Sequence, residues 1–441
     1  MSSSTFIDLR VNNAELFKNS VTGTPNTKMF LVFGKIDSWA NDLSPDIANT
    51  SMNMMYEVWD NMIGGKRILG GDMYHVIPRH NWSSNTVYTA YDDKSTTLYD
   101  SNTIFYVMNS TYSVYKCIAN NYGKVSTIEP TSVNPEIVST TGDGYSWKYM
   151  YTVSDSEKLR FVTDAYIPVK TLTGDDGSLQ WQVQNTAISG AINNIVVTNS
   201  GNNYTNVSNI SIVITGDGSS ASAIPTVNTT TNTISSIVIT DSGKNYTYAT
   251  VSITDKGLGA GANARAIISP FNGHGTNPVY ELGGKNILIN AKLRYTEEGV
   301  LPVGNDYRQI AILKDPYYYN TGIPASNLAF VQALTLVCDG VGDFQSDEIV
   351  YQGTNFAQSS FSGRVVSWDS TTSKLLLINT KGTPTISQSV IGVTSFTTRV
   401  VTNYTNGTMK KFSGRLLYVD NIKPITRATD QIENFQILLK F

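Results

Sequence analysis

Ile192-Asn193-Asn194-Ile195-Val196-Val197-Thr198-Asn199-Ser200-Gly201-Asn202-Asn203-Tyr204-Thr205 has a counterpart 42 residues on, Ile234-Ser235-Ser236-Ile237-Val238-Ile239-Thr240-Asp241-Ser242-Gly243-Lys244-Asn245-Tyr246-Thr247. The match continues at an offset of 41, with Ile210, Ile212, Gly216, Gly218, Ala221 and Ala223 against Val251, Ile253, Gly257, Gly259, Ala262 and Ala264. Each copy reads as strand, Gly-X-Asn-Tyr turn, strand, glycine-rich turn, strand. Two copies packed face to face predict a small β-sandwich or barrel over residues 187–269. Tyr204 and Tyr246 can be read in two ways. Exposed, they would stack on sugar rings; buried, they would fill the module core or brace its turn.

On either side the pattern is also β. Met29-Phe30-Leu31-Val32-Phe33-Gly34 is an apolar run ending in glycine, a buried strand. Strands are expected over 86–91, 103–108, 112–118, 145–153 and 165–170, and again over 287–295 and 307–313. Gly142-Asp143-Gly144 is a tight turn before the strand from 145. A calcium loop needs six to eight oxygen ligands, more than one carboxylate supplies. A second series of short strands over 334–408 predicts another small barrel. The chain closes on strands at 416–421 and 433–441. Helices are expected at 5–20 and from Met52. Ser51 is the N-cap, and an apolar stripe runs through Met62 and Ile63 to a stop at Gly64-Gly65.

Composition supports a broad, neutral surface. Of 441 residues only 15% are charged, against about 25% in ordinary soluble domains. Asn, Ser and Thr fill the surface instead. The 25 tyrosines suit sheets and protein interfaces. A net charge of −3 without a basic tail gives no attraction to nucleic acid or to an anionic membrane. No apolar run has the length of a membrane span. Met1-Ser2-Ser3-Ser4 has neither the basic start nor the apolar core of a secretory signal, so a cytosolic, soluble protein is expected. Cys117 and Cys338 each lie inside an apolar strand-like run and are read as buried free thiols.

Catalytic signatures are missing. The three histidines, His75, His80 and His274, fall in no His-Glu-X-X-His cluster, and there is no Gly-X-Ser-X-Gly elbow. Asp175-Asp176 and Asp347-Glu348 are the carboxylate pairs a hydrolase would draw on, but each reads as a polar turn. The glycine-rich stretch 273–284 lacks the Gly-Lys-Ser/Thr ending of a phosphate loop and is followed by no helical pattern. His274 and Glu281 are two metal-ligand types without a third. The reading is a non-enzyme with no cofactor and no metal.

Several framework blocks occur in order. They are Val76-Ile77-Pro78-Arg79-His80-Asn81-Trp82, Tyr115-Lys116-Cys117, Gly142-Asp143-Gly144-Tyr145-Ser146-Trp147-Lys148-Tyr149 and Tyr166-Ile167-Pro168-Val169. Later come Leu301-Pro302-Val303-Gly304-Asn305-Asp306-Tyr307-Arg308-Gln309-Ile310, Tyr418-Val419-Asp420-Asn421-Ile422-Lys423-Pro424-Ile425 and Asp430-Gln431-Ile432-Glu433. This ordered set resembles the baseplate wedge subunits of T-even-type contractile-tailed phages, the gene-eight-product family. The resemblance implies a mainly β fold: a β-sandwich framework with a few short helices, formed by 1–186, 270–333 and 409–441. The modules 187–269 and 334–408 are insertions beyond the family pattern. It also implies a virion protein made in the host cytoplasm, a homodimer, and other wedge proteins as partners. The implied work is mechanical, linking wedge components around the hub and joining the rearrangement that triggers sheath contraction. The alternative is a receptor- or glycan-binding tail protein. Arg79, Trp82, Trp147, Arg308 and Arg427 are the framework or interface candidates. Arg79 suits a carboxylate or carbonyl contact, and the indole N–H of Trp82 needs a partner.

Overall fold

A computed structural model describes residues 6–23, 27–294, 297 and 301–441. Met1–Ser4, searched for a leader, lie outside the described residues, as do residues 5 and 295, expected at the edges of a helix and a strand. The fold is mainly β. The chain divides into two compact units. One comprises Met1–Glu15, Tyr74–Leu288 and Leu438–Phe441; the other comprises Leu16–Met73 and Ile289–Ile437.

The first unit is built on a four-stranded antiparallel sheet, in the order Tyr106–Met108, Ser113–Asn120, Tyr145–Thr152, Val138–Thr140. The strand period of two sends Tyr106, Met108, Val114 and Met150 into one apolar cluster. It sends Val107, Tyr115, Cys117, Trp147 and Tyr149 into another. Both faces are covered, so these strands are apolar almost throughout. Met73–Pro78 pairs antiparallel with Tyr166–Val169, placing His75 opposite Val169 and Ile77 opposite Ile167.

The stretch 86–91 is not a strand. It is extended, with Tyr88 buried and Val87 exposed. Its hydrogen bonds scatter, however: Thr86 bridges Ser126, Thr89 N–H donates to Ile104, and Tyr91 N–H to Cys117. The alternation reported burial, which an extended segment shows without joining a ladder. Asp155–Phe161 and Leu179–Asn185 are helices within the region expected to be β. Ser154 and Glu157 form a capping box on the first, and Ser178 caps the second.

The tandem repeat forms one module, but its copies do not pack as separate sheets. Ile192–Asn202 pairs with Ala260–Ile268, and Ser219–Asn228 with Thr233–Lys244. Ile210–Gly216 pairs with Ala249–Asp255. Every one of these ladders joins a strand of one copy to a strand of the other. The two copies are therefore related by a pseudo-two-fold that extends to single atoms. Tyr204 Oη accepts from Ala262 N–H and Tyr246 Oη from Ala221 N–H, each at 3.4 Å. Both rings lie in the module core, each against a glycine, Gly259 and Gly218, where a side chain would collide with the ring. The core-filling reading of these tyrosines is the one observed. The module is held on the sheet by Asn194, which donates to the Ile118 carbonyl at 3.0 Å, and by Arg265, paired with Asp92 and Asp93. Its entry and exit are tied: Ser269 N–H donates to the Ala191 carbonyl, and Ala191 N–H to Ser269 Oγ.

The second unit contains a five-stranded sheet, in the order Ala329–Val331, Met62–Ile68, Met29–Gly34, Asp306–Lys314, Arg415–Thr426. Met29–Gly34 is buried along its whole length, as expected. Ser51 caps the helix Met52–Asn61 by accepting from Met54 N–H. That helix ends earlier than its apolar stripe suggests. Met62 and Ile63 begin a strand, and Gly64-Gly65 lies inside it. These glycines permit close approach: a Cβ at Gly64 would lie 2.5 Å from the Phe330 carbonyl oxygen, and one at Gly65 2.7 Å from that of Leu31. Residues 334–405 form a closed six-stranded barrel around Leu336, Val350, Val365, Leu375, Leu377 and Val401. Its neck is clamped by one side chain. Gln332 accepts from Met409 N–H at 2.9 Å and donates to the Met409 carbonyl at 3.0 Å.

Gly64→Ala should lower stability by roughly 1–3 kcal/mol, the usual cost of overpacking. Thermal denaturation of the full chain checks this, and an unchanged melting temperature would contradict the close approach of these strands.

Candidate functional site

Lysine is rare inside apolar strands, and here two occupy facing positions. Lys116 and Lys148 are directly opposite each other across the antiparallel pair Ser113–Asn120 and Tyr145–Thr152. Both are buried. Like charges placed so repel, and a third element resolves the conflict. The glycine-rich stretch passes over this face and places Glu281 against the pair. Lys116 Nζ lies 2.9 Å from Glu281 Oε2, with neither side chain more than 6% exposed. It also sits 4.3 Å above the Tyr91 ring. Lys148 turns away and donates to the Pro135 carbonyl at 2.7 Å.

Glu281 has a second set of partners. Its Oε1 accepts from Gly275 N–H at 2.7 Å and Asn277 N–H at 3.2 Å. Asn277 caps the four-residue helix Pro278–Glu281, which lies inside the glycine-rich stretch. As expected, no helix follows the stretch, since the next element is the strand Asn286–Arg294; the short helix within it is unanticipated. The apolar repeat is too short to register as helical, while the cap and the proline at its first turn carry the signal. Gly275 has φ +94°, and a Cβ there would meet Val183 at 2.4 Å, so no other residue fits.

His274 completes the cluster. Its Nδ1 stands 3.9 Å from Glu281 Oε2, beyond hydrogen-bond reach, and has no hydrogen-bond partner among the described residues. Its ring meets Tyr91 edge-on at 4.9 Å. Burial, then the charges of Lys116 and Lys148, holds the imidazole well below its ordinary pKa, so it is neutral. Burial also lowers Lys116, with Glu281 opposing it. Burial brings Lys148 down to about 8. His274 and Glu281 thus come together, but a lysine ammonium occupies the carboxylate. No group of three His, Cys, Asp or Glu side chains suited to a metal ion occurs among the described residues. What the cluster does chemically is fasten a loop to a sheet.

The five candidates from sequence are dispersed. Arg79 is partly buried and donates to the Thr163 carbonyl and to Asn81 Oδ1, both at 3.0 Å. Trp82 donates its indole N–H to Ser126 Oγ at 3.2 Å. Trp147 is a core residue, stacked on Tyr145 at 5.5 Å. Arg308 grips Asp42 through two 3.0 Å bonds and donates to the Ile36 carbonyl. This pairing holds the Asp42 carboxyl below its usual range. Arg427 is fully buried, paired with Glu433 at 2.9 Å, and donates to the carbonyls of Arg294 and Pro302. Its guanidinium lies over Phe33. All five therefore make contacts inside the fold. Of the carboxylate pairs, Glu348 caps Thr394 and Ser395 N–H, and Asp347 pairs with Arg364. Asp143 accepts from Thr127, Ile128 and Tyr145 N–H. Both cysteines are buried free thiols. Sequence reasoning missed Lys116 and Lys148 as a pair; the available signal was a lysine at the centre of two otherwise apolar strands.

No family model matches the chain. It is similar to the baseplate wedge protein gp8 of Enterobacteria phage T4, at 23% identity over 211 residues. The match covers 38% of this chain and spans 63% of the length of that relative.

Stability should respond to pH through the buried lysines. The folded pKa of Lys148, about 8, lies below its ordinary 10.5. Between these values the unfolded chain binds more protons than the folded one, so stability rises with pH. Lys116, also lowered, acts in the same direction. Buried tyrosines such as Tyr151, raised above their usual 10.0, oppose the rise at higher pH. Denaturant titrations of the wild type between pH 7 and pH 9.5 (roughly the lower part of that window) should show increasing stability. Lys148→Met should flatten the increase; a flat wild-type profile would refute the assignment.

Proposed function

We propose that this chain is a structural subunit of a phage tail baseplate wedge. The observation that carries the reading is the similarity to the T4 baseplate wedge protein. A second feature supports it. The side chains with the greatest chemical potential (Lys116, Glu281, Arg308, Arg427) are all consumed in holding loops and strands, as in a part that transmits load. In this reading residues 1–186, 270–333 and 409–441 form the framework, and 187–269 and 334–408 are additions to it. The chain forms a homodimer, its partners are other wedge proteins, and its place is the virion baseplate. It takes part in the rearrangement that releases sheath contraction by moving between discrete packed arrangements. A chain with few charges and exposed tyrosines such as Tyr56, Tyr248, Tyr317 and Tyr319 suits permanent interfaces, which commonly exceed about 2,000 Å².

The alternative, a receptor- or glycan-binding tail protein, named Tyr204 and Tyr246 as sugar platforms. At 2% and 4% exposure neither can serve.

Two measurements test the proposal. Baseplates isolated from purified virions should contain the chain, and sedimentation of the recombinant protein should give a dimer. Its absence from baseplates sinks the reading. Arg79→Ala, which removes a bond to the Thr163 carbonyl, should cost about 1 kcal/mol of stability and reduce incorporation into wedges.

A further inference from the structure

The first unit holds a groove between the framework sheet and the tandem-repeat module, of about 580 Å³. That is within the range of small-ligand sites, roughly 300–1,000 Å³. The wall on the framework side is the turn after Ser113–Asn120 together with Val138–Thr140. The wall on the module side comes from Ile192–Asn202 and Thr233–Lys244. Its chemistry is unusual in one respect. Among the described residues lining it, Glu136 alone carries a formal charge; the rest are aliphatic side chains such as Ile137, Ile195 and Val238 and neutral amides and hydroxyls such as Asn193, Ser236 and Ser242.

Tyr122 stands on the rim, 54% exposed, and its backbone is strained. Asn121, Tyr122 and Gly123 have φ of +46°, +59° and +78°. L-residues enter this region singly and rarely, and a bulky aromatic there is an outlier. Gly123 and Asn121 accept this region readily, so Tyr122 is the outlier of the turn; it is held by surrounding bonds, with Asn120 Oδ1 accepting from Gly123 N–H at 3.2 Å and Asn121 donating to the Asp143 carbonyl at 2.8 Å. Asp143 is itself fixed by the three backbone N–H groups named above. The turn presents Tyr122 beside an almost uncharged groove of mixed aliphatic and hydrogen-bonding character.

We infer that this groove binds a neutral oligosaccharide. A pyranose offers a C–H face that stacks on an aromatic ring and a periphery of hydroxyls. Amides and hydroxyls satisfy such hydroxyls as both donors and acceptors. An anionic or cationic ligand would find no countercharge of the right sign in number. Because half of the groove belongs to the repeat module, the activity is an addition to the wedge role and does not depend on it.

The full chain should be screened on an array of neutral and acidic oligosaccharides, with binding measured by saturation-transfer NMR for any positive. Neutral glycans should bind, with saturation transferred from the protein to the C–H protons of the bound sugar. Tyr122→Phe should retain affinity within about threefold, and Tyr122→Ala should lose at least tenfold, as expected where stacking supplies the larger share. Tyr122→Asn is the decisive variant. Asn tolerates positive φ, so its melting temperature should equal or exceed that of the wild type while binding is lost. No binding to any neutral glycan, binding to acidic glycans only, or wild-type affinity in Tyr122→Asn would each overturn the inference.

Discussion

A buried carboxylate between two buried amines organises the first unit. Lys116 and Lys148 face each other across adjacent strands, a placement that would oppose folding were both charges uncompensated. Glu281 reaches one of them from 165 residues further along the chain. Taking such charges out of water costs several kcal/mol per ion, and only good geometry with additional hydrogen bonds recovers it. Those additional bonds are present in the N–H groups of Gly275 and Asn277. They bind the carboxylate and, by doing so, define the course of the loop. The ion pair is therefore less a source of net stability than a device that permits a single register. An apolar replacement of all three groups could match its energy, but it would not tell the loop where to lie.

The two β-modules meet their surroundings by a common rule, in different units. Each leaves and re-enters the chain at a point where the two passing segments are hydrogen-bonded. Ala191 and Ser269 do this through backbone and hydroxyl, and Gln332 does it with one amide gripping both polar groups of Met409. A closed neck means that the segments on either side keep their spacing whatever lies beyond it. Loop-closure entropy grows only slowly with length, so a long excursion through such a neck costs little more than a short one. The tightness of these necks, and not the size of the modules, decides how little the rest of the unit notices them.

How much of this was legible in the sequence depended on whether a signal was local. Met29–Gly34, the barrel strands and the Ser51 cap were readable because apolar runs and caps act over a few residues. The helix 155–161 was also readable, through Ser154 and Glu157, but its flanks of strand-like composition masked the capping box. Gly64-Gly65 misled because glycine marks both a helix stop and a place where strands crowd together. Only the positions of Phe330 and Leu31 distinguish the two. The repeat was plain, and its pairing was not: strand order within a copy says nothing about which copy supplies the neighbour. The ionic cluster lay beyond reach for the same reason. Lys116, Lys148 and Glu281 have no sequence relation, and their meeting is a product of the sheet register and the loop that crosses it.

The strand exchange in the tandem module has a consequence for its assembly. A lone copy of the repeat cannot complete its ladders, since the multi-residue pairings run to the other copy. As a free peptide it would need a second molecule, and its folding would follow the square of concentration. Covalent linkage through the short turn near residues 229–232 turns that encounter into an intramolecular one. The partner is then present at an effective concentration of millimolar order. The duplication thus makes folding of the module independent of how much protein the cell holds. It also makes the two halves free to diverge, since each sequence now has only one fixed partner to satisfy.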